Sequence, residues 1–97
     1  MDDTLQKLQN WYMRHCDGDW EHQQGIIIET LDNPGWKVSI DLDESELLSK
    51  GFDSLEVKRS DTDWFHCSVN NRKYYGYGGA NNLPEILNTF LDWANGS

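Results

Sequence analysis

The chain has 97 residues and a formal net charge of -9, from 17 acidic and 8 basic residues. Its length suits one domain, spanning residues 1–97, and leaves no room for a second core. The charge disfavours nucleic acid and anionic membrane surfaces as partners, and it favours either a basic protein partner or simple solubility. Five Trp, four Tyr and three Phe exceed what so small a core requires, which leaves aromatic residues for a binding surface.

The N-terminal segment has no basic region followed by an apolar run, and no apolar stretch approaches the length of a membrane span. We therefore expect a cytoplasmic protein without a membrane partner. In that compartment Cys16 and Cys67 are expected to be reduced thiols and not a disulfide.

The first predicted element is a helix over residues 4–16, which Gly18 ends. Asp3 and Gln6 have the spacing of a variant capping box, so Asp3 is expected to cap the helix. Helical periodicity predicts an apolar stripe that contains Leu5, Leu8, Tyr12 and Cys16.

A β-hairpin is predicted next. Residues 26–31 are rich in isoleucine, and residues 36–42 alternate between apolar and polar side chains, so both segments favour strands. The connecting sequence Asp32-Asn33-Pro34-Gly35 predicts a type II turn, in which Pro34 fixes φ at the second position and Gly35 supplies the positive φ that follows.

Further elements follow in the order of the chain. A short helical turn is expected over residues 45–49, with Leu47 and Leu48 packed inward. Strands are predicted over residues 53–59, 64–70 and 73–77. A clearly amphipathic helix then begins after Asn81 or Asn82, which is expected to cap it, and its apolar face contains Leu83, Ile86, Leu87, Phe90, Leu91 and Ala94.

This order predicts an α+β fold with about five antiparallel strands between an N-terminal and a C-terminal helix. Because each helix has one apolar stripe, both are expected to pack on one face of the sheet. Trp64 and His66 would then point to the opposite face, where Tyr74, Tyr75 and Tyr77 could join them. That face is expected either to bind a protein or to be covered by residues 43–52.

An alternative hypothesis is a small metal- or ligand-binding domain that uses His15, His22 and His66. Zinc takes about four nitrogen or sulfur ligands, and the adjacent His-Cys pairs at 15–16 and 66–67 lack the spacing of a zinc knuckle. We therefore predict no metal and no cofactor.

No catalytic residues are predicted. A third hypothesis, a cysteine-dependent sulfurtransferase, would need a thiolate at Cys16, but the surrounding sequence CDGDWE supplies carboxylates, which disfavour one. Gly76, Gly78 and Gly79 precede the last helix without completing a dinucleotide or Walker A pattern, so they are expected to let the chain turn. These features predict a binding protein and not an enzyme.

Three motifs carry a resemblance to a known family. DGDWEH is followed by a glycine and the isoleucine-rich strand, TLDNPGW follows that strand, and a GxGG segment precedes the last helix with its terminal tryptophan. The chain thereby resembles the immunity protein 53 family of bacterial polymorphic toxin systems. The resemblance implies an antidote that binds a cognate toxin domain, for example a basic nuclease, and neutralises it by stoichiometric occlusion.

If this resemblance holds, two sets of side chains are expected to contact the toxin. The acidic set is Asp17, Asp19 and Glu21, and the aromatic set is Trp64, His66 and Tyr75. Other motif residues are expected to maintain the fold: Trp20, Gly25, Asp32, Asn33, Pro34, Gly35, Trp36, Gly78 and Gly79.

Overall fold

The computed structural model describes residues 3–32, 34–42 and 46–95, with the side chains of all of them except Glu21, Gln23 and Glu46. The helices are α1 (Thr4–His15), α2 (Trp20–Gln23) and α3 (Leu83–Asn95), and a 3-10 helix covers Glu46–Ser49. The strands are β1 (Ile26–Leu31), β2 (Gly35–Asp41), β3 (Leu55–Lys58), β4 (Trp64–Asn70) and β5 (Lys73–Gly78). In the described ranges, none of the helices has both the length and the apolar character that a membrane crossing requires.

The five strands form one antiparallel sheet in the order β1-β2-β5-β4-β3. Helix α3 packs on β2, β4 and β5, and α1 packs on α3. The α+β fold with an N-terminal and a C-terminal helix on one side of the sheet is thereby confirmed. One difference concerns β3, which is shorter at both ends than the predicted strand over residues 53–59.

Aromatic side chains fill much of the core between the sheet and the helices. Trp11 and Tyr74 both lie against Phe90 of α3, with ring centroids 5.0 Å apart in each pair. The Tyr74 hydroxyl donates a hydrogen bond to the backbone carbonyl of Ile86, 2.9 Å away, which satisfies its buried polar group. The apolar face predicted for α3 is confirmed, because its four central members, Ile86, Leu87, Phe90 and Leu91, are buried.

The stripe predicted for α1 is wrong in its orientation. Leu8 is buried, but Leu5 is 63% exposed and Tyr12 is 38% exposed. The buried residues of α1 are Thr4, Leu8 and Trp11. The helix is therefore turned so that Trp11, its largest side chain, enters the core, which removes the most apolar surface from water.

The described part of the 43–52 segment packs on the helix side of the sheet. Leu47 is 1% exposed and belongs to the core, whereas Leu48, also predicted to pack inward, is 41% exposed. Phe52 contacts Tyr74 and Trp93 at centroid distances of 5.7 and 5.1 Å. Residues 46–52 thus close the end of the core, and they do not cover the opposite face.

The connection between β1 and β2 corrects the predicted turn. Leu31 already pairs with Gly35, so Gly35 is the first residue of β2, and its φ is not positive. The type II turn with Gly35 in the left-handed region is therefore wrong. Asp32 and Pro34 are exposed in this loop, and Asn33 lies outside the described residues.

The predicted capping of α1 by Asp3 is also wrong. Asp3 occupies the N-cap position without a capping hydrogen bond from its side chain, and its carboxylate pairs with Lys7 at 3.6 Å. At α3 the carbonyl of Asn82 accepts the first helical bond, from the N–H of Ile86. The Asn82 side chain forms a network described below.

Candidate binding surface

The sheet face that points away from the helices carries a group of aromatic side chains. Cys67 is fully buried in the core, so alternation along β4 directs its neighbours Trp64 and His66 to the opposite face. The register pairs His66 with Tyr77 of β5, and Tyr75 lies two residues earlier on the same face. The expectation that Tyr74 could join them is wrong, because Tyr74 alternates with Tyr75 and is fully buried in the core. All four aromatic side chains are partly exposed. We call this group, Trp64, His66, Tyr75 and Tyr77, the aromatic face.

Charged residues of both signs border the aromatic face. The Lys37 ammonium lies 6.0 Å from the centre of the Tyr77 ring and 3.9 Å from the Glu29 carboxylate. On the same face, Lys73 pairs with Asp41 at 3.3 Å. These ion pairs give the aromatic face a polar border with groups of both signs.

Trp64 lies between two surface clefts at one end of the aromatic face. One cleft, of about 360 Å³, is lined by Trp64 with Asp61 and Glu56 among others. The other, of about 120 Å³, includes Trp64, Asp61 and Pro34. A half-buried indole beside two clefts leaves parts of the ring accessible to a partner, and tryptophan is enriched among interface hot spots.

A hydrogen-bonded network holds the end of the sheet at which Trp64 lies. Asn82 is 2% exposed, and its side-chain oxygen accepts a hydrogen bond from the Trp64 backbone N–H at 3.3 Å. Its amide nitrogen donates to Asp63 and Glu85 at 3.0 and 2.6 Å. Arg59 donates to both of these carboxylates at 2.7 to 2.9 Å. The network therefore joins α3 to the start of β4 and fixes the backbone that carries Trp64.

This network makes a pH-dependent contribution to stability. Hydrogen bonds from Arg59, and then from Asn82, lower the pKa of Asp63 from 3.8 to about 2. A depressed pKa stabilises the fold above the unfolded value, and this stabilisation is lost as the pH falls from about 4 to about 2. Asp63→Asn should therefore be less stable than the wild type at pH 7, with a gap that closes over that range. Urea unfolding of both proteins from pH 7 to pH 2 tests this, and a constant gap would contradict it.

The predicted acidic set lies in the helical layer, on the other side of the sheet from the aromatic face. Asp17 accepts hydrogen bonds from the backbone N–H groups of Asp19 and Trp20, both at 3.0 Å. These bonds, that of Trp20 foremost, lower the pKa of Asp17. Asp17 and Asp19 are both exposed, and the side chain of Glu21 lies outside the described part. The two predicted sets therefore do not form one continuous patch.

The DGDWEH motif has a structural explanation. Asp17 satisfies amides at the start of α2, a helix that the sequence pattern did not predict, and Gly18 adopts a positive φ of 97°. These two residues turn the chain so that Trp20 enters the core, where it is 1% exposed and lies 5.8 Å from the Trp11 ring. The structural role predicted for Trp20 agrees with this burial.

The predicted structural glycines differ in their surroundings. A Cβ atom added at Gly35 would lie 2.3 Å from the carbonyl oxygen of Gly78, and one at Gly79 would lie 2.6 Å from that of Thr62. At Gly25 an added Cβ would meet nothing within 4 Å. Close packing thus requires glycine at Gly35 and Gly79, whereas Gly25 has space for a side chain.

The two His-Cys pairs, at 15–16 and 66–67, lie in different layers of the fold. His15 stacks on Trp11 at 4.2 Å in the helical layer, while His66 lies on the aromatic face. Among the described residues, no group of three or more His, Cys, Asp and Glu could hold a metal ion. Cys16 and Cys67 are free thiols, and burial raises the pKa of Cys67, which keeps its thiol protonated at neutral pH.

Lys37 and Asp61, which border the aromatic face, were not predicted as site residues. Lys37 reaches the aromatic face because it alternates with the buried Val38, and this alternation was visible in the sequence. Asp61 lines both clefts beside Trp64. The sequence indicated only that Asp61 lies in a turn, because the neighbours of a turn residue depend on contacts distant in the chain.

These features define a class, a small α+β domain with a partly exposed aromatic sheet face suited to binding another protein. Comparison with known families identifies the chain more closely. A family model described as Immunity protein 53 matches residues 5–95. The chain therefore belongs to the immunity protein 53 family. No curated protein and no solved structure matches it significantly.

Proposed function

We propose that this protein binds a cognate bacterial toxin domain and neutralises it by stoichiometric occlusion, without turnover and without a cofactor. Membership of the immunity protein 53 family carries this proposal. The toxin would be blocked in the cytoplasm of the cell that produces it. The net charge of -9 favours a toxin with a basic surface, such as a nuclease, because opposite charges accelerate association.

We further propose that the aromatic face contacts the toxin, with Trp64 as its main anchor and His66 and Tyr75 as further contacts. Partly exposed aromatic residues with a polar border have the composition of interface hot spots. The acidic residues Asp17 and Asp19, which are exposed in a different layer, would act mainly by steering a basic toxin at long range.

The experiment that tests this function is a titration of the toxin domain encoded next to the gene for this chain. Toxin activity should fall linearly with added protein and reach its minimum at about one copy per toxin, as expected of occlusion by a tight complex. Association should slow as salt is added, because screening weakens steering. Inhibition at far fewer copies than toxin molecules would indicate turnover and would contradict the proposal.

Truncation of the proposed main anchor, Trp64, should weaken the complex. Trp64→Ala is expected to raise the Kd by at least about 30-fold, which corresponds to the roughly 2 kcal/mol that defines a hot spot. Met13→Ala is the matched control, since it removes a large side chain that is 63% exposed in the helical layer. Isothermal titration with the toxin domain measures both variants. Equal affinity for Trp64→Ala and the wild type would remove the aromatic face from the interface.

A further inference from the structure

The two outer strands of the sheet are very different. β3 has four residues, two of which, Glu56 and Lys58, are charged, so it has the short, charged character that discourages pairing with another chain. β1 has six residues with three consecutive isoleucines and one charge, Glu29. Ile27 is 55% exposed and Ile28 is 38% exposed. An apolar outer strand of this length is a template for strand addition.

The backbone of β1 has hydrogen-bonding groups directed to its outer edge. The carbonyl of Gly25 accepts a hydrogen bond from the N–H of Asp41 at 3.0 Å. This bond shows which residues of β1 bond to β2: they are every second residue counted from Gly25. Bonded and non-bonded residues alternate along an antiparallel pair. The N–H and C=O groups of Ile26, Ile28 and Thr30 therefore point away from β2, toward an edge with which none of the described strands pairs.

A groove lies beside this edge on the helix side. It has a volume of about 350 Å³ and is lined by residues of α1 and by the start of β1: Leu8, Gln9, Tyr12, Gly25 and Ile26. An added strand would direct alternate side chains toward this groove. The other side chains of the added strand would lie on the opposite face of the sheet, beside Ile27. On that face Ile27 is paired with Ser39, and Ser39 is paired with Tyr75. The edge thus combines backbone groups with a place for apolar side chains.

We infer that an extended segment of the toxin domain adds to β1 as a sixth strand. The inference rests on the proposed function and specifies how the complex is held together. The added segment would have alternating apolar side chains for the groove and a basic residue near Glu29. A second copy of this chain fits the edge less well, because each copy carries a net charge of -9 and would repel the other.

Hydrogen exchange tests this inference in the unmodified protein, using the toxin domain encoded next to its gene. The outward amides of Ile26, Ile28 and Thr30 should exchange rapidly in the free protein and at least about 10-fold more slowly in the complex, because strand addition gives them acceptors. The amides of α3, which packs on the opposite side of the sheet from the aromatic face, serve as the internal reference and should not change. Complex formation without protection of β1 would overturn the inference and leave the proposed function intact.

A pair of variants at Thr30 tests the same inference by affinity. Thr30→Pro removes an outward N–H without removing a bond to β2, and outer strands accept proline at such a position. Thr30→Val is the matched control, because it retains the amide. We expect Thr30→Pro to raise the Kd at least about 10-fold and Thr30→Val to change it less than about 3-fold.

The remaining outcomes are also decisive. Equal affinity for a folded Thr30→Pro variant would overturn strand addition, and if that variant fails to fold, the exchange measurement decides alone. A concentration-dependent dimer of the free protein, abolished by Thr30→Pro, would identify a second copy as the occupant and overturn the inference. If the wild-type protein does not bind the toxin domain at all, the proposed function and the inference both fail.

Discussion

Replacement of Trp20 by alanine is expected to lower the free energy of unfolding by about 3–5 kcal/mol, the range measured for large aromatic residues truncated in protein cores. Trp20 is 1% exposed and lies between the rings of Trp11 and Tyr12, at centroid distances of 5.8 and 5.9 Å. Its loss would leave a cavity where α1 meets α2. For a domain of this size the whole stability is only about 5–15 kcal/mol, so the variant would lose a large share of it.

Urea denaturation measures this loss of unfolding free energy, provided that the m-value is the same in the variant and the wild type. Trp20→Phe is the matched control, because it retains one aromatic ring at the same position. The Nε1 atom of Trp20 is buried with no acceptor among the described residues, so phenylalanine removes no hydrogen bond there. Its cost should be well below that of alanine. A loss of less than about 1 kcal/mol for Trp20→Ala would show that the DGDWEH motif does not anchor the core.

The sequence predicted those elements whose burial follows from local periodicity. The apolar face of α3 and the alternation along β4 are each strong enough to determine their own orientation, so Ile86, Phe90 and Trp64 lie where the pattern indicated. The orientation of α1 could not be predicted in this way. Thr4 is polar, yet it is buried and its hydroxyl bonds to Asn88, 84 positions later in the chain, at 2.9 Å.

The sequence likewise predicted only part of the candidate site. Alternation assigned Trp64 and His66 to the correct face, but it gave no information on the order of the strands. The exposed edge of β1 follows only from the sheet order, in which β2 has β1 on one side and β5 on the other. The separation of Asp17 from Trp64 likewise depends on how the helices pack, which no local pattern determines.

Substitution of Gly35 by alanine is the second change with a large expected effect. The added Cβ would lie 2.3 Å from the carbonyl oxygen of Gly78, on the neighbouring strand β5. The backbone of the paired sheet fixes the position of the added Cβ and of the carbonyl oxygen, so neither can rotate away as the end of a flexible side chain would. The strands must separate locally, and we expect a loss of up to about 3 kcal/mol, as in overpacked cores. Thermal and urea unfolding would each show the loss.

Gly25→Ala is the matched control for this prediction. Both glycines flank β1, and both belong to the motifs expected to maintain the fold, but an added Cβ at Gly25 meets nothing within 4 Å. The backbone N–H of Gly25, which donates to the Asp41 carboxylate at 2.8 Å, is retained in alanine. Alanine also restricts the unfolded chain, so this variant should be neutral or more stable by about 0.5 kcal/mol. Equal losses of unfolding free energy at Gly25 and Gly35 would contradict the prediction. They would mean that the close approach of β5 is not the reason why position 35 requires glycine.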